Sequence, residues 1–214
     1  MGCWKQKNEK NILIIGTGGQ IPRVLIPLLQ NQDGIHLTLL GRHASDLPYT
    51  NVTKISGDAS NLSDLLIAMK NQDLIYMNFD NKKITETVIE AMKETGVRRI
   101  IQAGVLGVYG EVAEPFSIWN NRMMGSSKIE GRGIEALESS NLDYTYMRMT
   151  WLYDGDTRDY VASSKGEPFL GAQITRRAIA QFIADNITGK RNDTQSSIGL
   201  WEPGSENLPK PDFY

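Results

Sequence analysis

The stretch NILIIGTGGQIPR, residues 11–23, decides the fold. Apolar residues 12–15 run into Gly16-Thr17-Gly18-Gly19, and from Gln20 to Gln30 the apolar side chains recur at helical spacing. A strand, a glycine turn and a helix in that order begin a βαβ unit. The helix start then offers backbone amides and the positive end of its dipole to an anion. The spacing departs from both dinucleotide patterns: G-x-G-x-x-G needs glycine at Ile21, and G-x-x-G-x-x-G needs it at Pro22. The third glycine serves helix packing more than anion contact, and proline is tolerated in a first helical turn. Gly16, Gly18 and Gly19, with the amides of Gly19, Gln20 and Ile21, are therefore expected to cradle a pyrophosphate. Pro27, inside the helix, is expected to kink it.

Working outward, short β-branched runs alternate with amphipathic ones. Strands are expected at 11–15, 36–40, 52–56, 74–78 and 99–103, and helices at 20–30, 62–70 and 82–95, the last closed by Gly96. This alternation predicts an α/β, Rossmann-like, doubly wound parallel sheet with helices on both faces. Right-handed crossovers bring the strand C-terminal ends to one edge, where Gly16, Gly41, Gly57, Asn78 and Gly104 collect.

The rest is less regular. Residues 118–140 have helical character broken by Gly125, Gly131 and Gly133, LDYTYMRM reads as a sixth strand, and 151–172 as a small irregular substrate lobe. Thr175 is placed to cap a helix over TRRAIAQFIADNI, and 197–201 offer one more strand. One domain spans residues 1–214: residues 11–105 form the dinucleotide-binding half, and 106–214 the second half with its substrate-side lobe.

Of the 214 residues, 40% are hydrophobic and 22% charged, ordinary usage for a folded domain, and the net charge of −2 gives no global field to hold a nucleic acid. Cys3 is the only cysteine, which excludes an internal disulfide and fits a reducing cytoplasm. With His36 and His43 as the only histidines, no metal site is expected. No apolar run reaches the roughly 18 residues of a membrane span. Gly2 lacks the Ser or Thr at position 6 that myristoylation wants. Homo-oligomerisation and a regulatory protein partner stay open.

The second strand ends TLLGRH, with Arg42 where an NAD enzyme usually places an acid for the ribose hydroxyls. A guanidinium there can fork onto a 2′-phosphate, so NADP is expected over NAD.

IIGTGGQIPR, LLGRHASDL, GDASNLSDLLIAM, ETVIEAMKETGVRRIIQAGVLGVYGE, SNLDYTYMRMTWLYDG and ITRRAIAQFI together resemble the atypical short-chain dehydrogenase/reductases, and more narrowly the NmrA-like NAD(P)-binding proteins. The resemblance implies a cofactor laid across the strand ends. Asp58 would meet the adenine amino group and Ala59 offer a backbone contact. Asn78 and Phe79 would lie beside the adenosine and pyrophosphate, and Ala103, Gly104 and Val105 would flank the nicotinamide.

The departure concerns catalysis. The proton-donating Tyr-x-x-x-Lys pair is absent: Tyr109 is followed at that distance by Ala113, Lys165 stands one position too far from Tyr160, and Met124 precedes Lys128. Tyr109 and Lys128 are the remaining catalytic candidates. One reading is an NADPH-dependent reductase that passes hydride to a small planar acceptor, a quinone or flavin, with Tyr109, Phe116, Trp119, Trp151 and Tyr153 as candidate walls. Another is a non-catalytic NADP(H)-binding redox sensor or regulator. A third is a sugar-nucleotide epimerase-like enzyme.

Overall fold

The computed structural model describes residues 9–125 and 128–214, so Gly2 and Cys3 lie outside the described residues. β1 (Lys10–Ile15) lies inside the sheet with both faces covered. Its side chains alternate: Ile12 and Ile14 pack with residues of α1 (Gln20–Gln30) and α6 (Arg176–Thr188). Leu13 and Ile15 pack with α2 (Leu62–Ala68), α3 (Lys82–Thr95) and α5 (Gly133–Glu138). That period of two is why the strand reads as unbroken apolar sequence, since a doubly covered parallel strand has no polar face to show.

The remaining strands of the expected sheet are β2 (Ile35–Gly41), β3 (Thr53–Ser56), β4 (Leu74–Met77), β5 (Arg99–Val105), β6 (Asp143–Met149) and β10 (Ser196–Trp201). The order is β3-β2-β1-β4-β5-β6-β10-β8, with β8 at Val161–Ser163. All pairs are parallel except β10 with β8. The chain steps outward from β1 to β3 on one side and from β4 on the other, so the β1–β4 gap is the switch point where a crevice opens.

Local chemistry sets the helix ends. Asn81 Oδ1 accepts from Ile84 N–H at 3.0 Å to start α3, and Gly96 ends it at φ 79°, the left-handed conformation glycine adopts freely. Thr175 Oγ1 accepts from Ala178 N–H at 3.0 Å and starts α6. The expected break between 118 and 140 is real: α4 (Phe116–Met124) stops at Gly125 and α5 begins at Gly133.

α1 runs as helix through Pro27, whose ring removes one backbone bond, while the buried Leu25, Ile26 and Leu29 hold it to the sheet. One expectation needs correction. Residues 151–172 are not irregular throughout. β7 (Trp151–Tyr153) pairs in parallel with β9 (Gln173–Thr175) as a separate two-stranded sheet, and β8 extends the main sheet as an antiparallel edge. Among the described residues no helix is long and apolar enough to cross a membrane.

Arg148, near the end of β6, is fully buried and joins these parts. Its Nη1 donates to Glu111 Oε1 at 2.9 Å, and Nη2 reaches the carbonyls of Ser163, Ser164 and Ser197 at 3.0–3.3 Å. Glu111 also accepts from the N–H groups of Gly107 and Tyr109 at 2.9 and 3.0 Å. Glu111→Ala, which strands the guanidinium charge, is expected to lower stability in urea by about 3–5 kcal/mol. Lys165→Ala, which breaks the exposed Lys165–Glu138 pair, should lower it by about 1 kcal/mol or less.

Candidate functional site

The turn after β1 is shaped by close approach. Gly16 has φ 84°, and a Cβ there would meet the Phe79 ring at 3.0 Å. At Gly19 a Cβ would fall 1.9 Å from Asn78 Nδ2, so the helix start and the end of β4 are pressed together. Asn78 is itself held by Tyr76, whose hydroxyl donates to its Oδ1 at 2.7 Å. Gly18 has nothing within 4 Å of a Cβ, and its open side faces the crevice. Gly19 N–H donates to Gly16 O at 3.2 Å, a correction to the sequence reading: that amide is used inside the turn. Gln20 and Ile21 head α1, which has no side-chain cap and no acid in its first turn to compete for an anion. Pro22 is buried in that first turn, where the missing N–H is tolerated.

A cavity of about 590 Å³ opens over this turn. Its walls are the ends of β1, β2 and β3 with Phe79 after β4: Gly16–Gly19, Arg42, Asp58 and Ala59 all line it. Arg42 is exposed, with Ser45 close by in the next turn of chain, where Ser56 Oγ donates to Ser45 Oγ at 3.1 Å. The Asp58 carboxyl is held below the usual carboxylate range, first by Ser60 N–H at 2.8 Å and Ser60 hydroxyl at 2.7 Å, with Arg42 adding to the pull. It therefore presents an ionised acceptor at the β3 end. Thr17, His43, Leu47, Ser60 and Ile84 also line the cavity and were not singled out from sequence. Thr17 packs against the end of β2, where a Cβ on Gly41 would stand 2.7 Å from its Oγ1.

A second cavity, about 550 Å³, lies on the same sheet edge beyond β4, at the ends of β5 and β6. Val105, Leu106, Met149, Thr150 and Trp151 supply its floor, and Asn120, Met124, Lys128, Glu130 and Arg132 its rim. Ala103 and Gly104 sit buried inside β5 and Val105 takes the cavity position. From β3 to β5 there are four strand spacings, about 19 Å, across which an extended ligand can lie.

The catalytic candidates separate. Lys128 lines the second cavity and is exposed. Tyr109 points elsewhere: its hydroxyl donates to Glu138 Oε1 at 2.7 Å under the Lys165 ammonium, 4.4 Å from the ring, and burial pushes its pKa well above the ordinary phenol. Phe116 is wholly buried, so it is core. Trp151 is a wall, and Trp119 packs against it at 4.9 Å. Tyr153 donates to Glu202 at 2.6 Å, with its hydroxyl pKa pushed up to about 12, first by burial. Among the described residues no tyrosine lines the second cavity.

The comparisons bear on this geometry. Residues 16–190 match the NAD(P)H-binding family. A short-chain dehydrogenase/reductase from Veillonella parvula DSM 2008, solved in complex with NADP, is 29% identical with a TM-score of 0.88, covering 95% of this chain and 99% of that one. An ethylated form from the same organism gives 28% identity and a TM-score of 0.89, over 96% and 100%. A Rossmann-fold NAD(P)-binding family protein from Shigella flexneri is 35% identical with a TM-score of 0.77, over 96% and 99%. No curated protein matches the chain.

Gly18→Ala separates folding from binding. With open space around the added methyl, its urea stability should stay within about 0.5 kcal/mol of wild type. Its affinity for NADPH by calorimetry should fall at least about tenfold, roughly 1.4 kcal/mol.

Proposed function

The chain belongs to the NAD(P)H-binding family, and from that premise we propose that it is an NADPH-dependent reductase delivering hydride to a planar acceptor of quinone or flavin type. The observation that carries this reading is the pairing of two cavities on one sheet edge, the first lined by the glycine turn, Arg42 and Asp58, the second floored by Val105, Met149 and Trp151 with no tyrosine in its wall. The first fits a dinucleotide: open space at Gly18, an uncapped helix start, and an exposed cation at the second strand end.

NADPH, when bound, supplies two electrons and one proton as hydride; solvent supplies the second proton that completes reduction of a quinone or flavin. The chain's own work is positional. The Gln20 and Ile21 amides meet the pyrophosphate, Arg42 forks onto the 2′-phosphate, and Asp58 accepts from the adenine amino group. Asn78 and Phe79 fix the turn against which the adenosine half rests, while Val105 and Trp151 align a flat acceptor at the other end. An acceptor that spreads negative charge over its rings needs no buried protein acid, which suits a cavity with no tyrosine among its described lining residues.

NADPH at 100 times its dissociation constant should stabilise the protein by about 2.7 kcal/mol, read as a thermal shift larger than that of NADH at equal concentration. Arg42→Asp should reverse the preference. Loss of nicotinamide absorbance with menadione or FMN then tests turnover. Tight NADPH binding with no oxidation by any quinone or flavin would replace the reductase with a redox sensor.

A further inference from the structure

We propose that Trp151 is the stacking wall for the acceptor and that Tyr214, with Phe213 behind it, is the positioning residue that holds its indole in place. This rests on the reductase reading above. It extends the acceptor site to Tyr214, 63 residues further along the chain.

Trp151 opens β7 and lines the second cavity beside Val105, Met149 and Met124. Three groups fix its ring. Asn120, buried on α4, accepts the indole N–H at 3.0 Å. Trp119, one residue earlier on that helix, meets the indole at 4.9 Å with the planes 61° apart. Tyr214 meets it at 5.1 Å and 82°, and meets Trp119 at 5.1 Å and 68°, so three rings close a triangle of edge contacts. Neither neighbour lies parallel to the indole.

The last residues are tied to the same small sheet that carries Trp151. Asp212 N–H donates to Gln173 Oε1 at 2.7 Å, and Gln173 belongs to β9, the partner of β7. Phe213 extends the contact by packing on Tyr153 of β7 at 5.3 Å and on Tyr214 at 5.8 Å. If these aromatics served only to close the lobe, burial would be their main gain. Phe213 and Tyr214 instead remain 45% and 53% exposed, and Met124 on the cavity rim 67%. An apolar rim left open around an aromatic wall is what a flat, poorly hydrated ligand would cover. The acceptor is thus expected to carry a fused ring system wide enough to stack on an indole, as in a naphthoquinone or an isoalloxazine.

The test compares Trp151→Ala, Tyr214→Ala and Tyr214→Phe, using menadione and FMN as acceptors. Tyr214→Ala should raise the acceptor KM about tenfold with kcat within twofold and NADPH affinity unchanged. Tyr214→Phe, which keeps the ring, should restore the acceptor KM to within twofold of wild type, and Trp151→Ala should raise it at least as far as Tyr214→Ala. An unchanged acceptor KM in Tyr214→Ala, an equal loss of NADPH affinity, or no rescue by Tyr214→Phe would overturn the assignment. If the wild-type chain binds NADPH yet oxidises it with neither acceptor, the reductase reading falls. FMN quenching of tryptophan fluorescence in the presence of NADP then decides the wall: quenching weakened by Tyr214→Ala and restored by Tyr214→Phe upholds it, and quenching unaltered or absent overturns it.

Discussion

Arg148 is a charge with no exposure, placed where four segments meet. A guanidinium so enclosed is tolerable only if carboxylate and carbonyl oxygens surround it, and those come from the loop after β5, from the chain at β8 and from β10. Its Nε finds no partner among the described residues, so the arrangement is under demand rather than over-supplied. Glu111 in turn spends its other lone pairs on the amides of Gly107 and Tyr109, which fixes the path of the chain leaving β5. That path continues into a backbone exchange in which Phe169 N–H donates to Glu111 O and Ala113 N–H to Phe169 O, at 2.8 and 2.9 Å. One buried ion pair therefore sets the second cavity's frame.

The first half is governed by a different constraint, contact distance. Several glycines stand where a methyl group has no room: Gly19 against Asn78, Gly41 against Thr17, and Gly104 against the Tyr146 ring at 2.0 Å. Tyr146 is fully buried, and its hydroxyl donates to Asp80 Oδ2 at 2.7 Å while accepting from Val105 N–H at 3.3 Å. The missing side chain at Gly104 is thus filled by a ring from the neighbouring strand, and that ring's polar tip joins β5 to the end of β4. Asp80 also accepts from Gly133 N–H at 2.7 Å, which draws the start of α5 against α3. Small residues at the strand ends both open a ligand crevice and let side chains from elsewhere interlock beneath it.

These two constraints explain what was legible in sequence. β1, α1 and α3 could be read because their signals are local: an apolar run, a helical period, a cap at Asn81 and a stop at Gly96. Gly16, Gly18, Arg42 and Asp58 could be assigned to one cavity because parallel strands put their ends on one edge. What escaped depends on partners distant in the chain. The Gly19 amide looked free until its bond to Gly16 O was seen, since a turn's internal bond leaves no mark on composition. The strands within 151–172 are three residues each, too short for a period to show, and exist because β10 and the paired β7 and β9 hold them. Tyr109 stood as a catalytic candidate from sequence, and only the position of Glu138 shows it turned aside.

In a carbonyl reductase the developing alkoxide needs a proton donor within hydrogen-bond reach, and two tyrosines at or after the end of β5 and β6 are committed elsewhere: Tyr146 to Asp80, Tyr109 to Glu138. Both hydroxyls have their pKa raised, burial being the largest cause, and a raised pKa makes a weaker acid. Freeing either would also break a contact to Asp80 or Glu138 that the fold uses. On the reductase reading proposed above, acceleration would come from holding two flat ring systems at contact distance and excluding other orientations, work suited to clamped aromatic and apolar walls. On that reading the cavity would select acceptors by shape and by their capacity to delocalise charge.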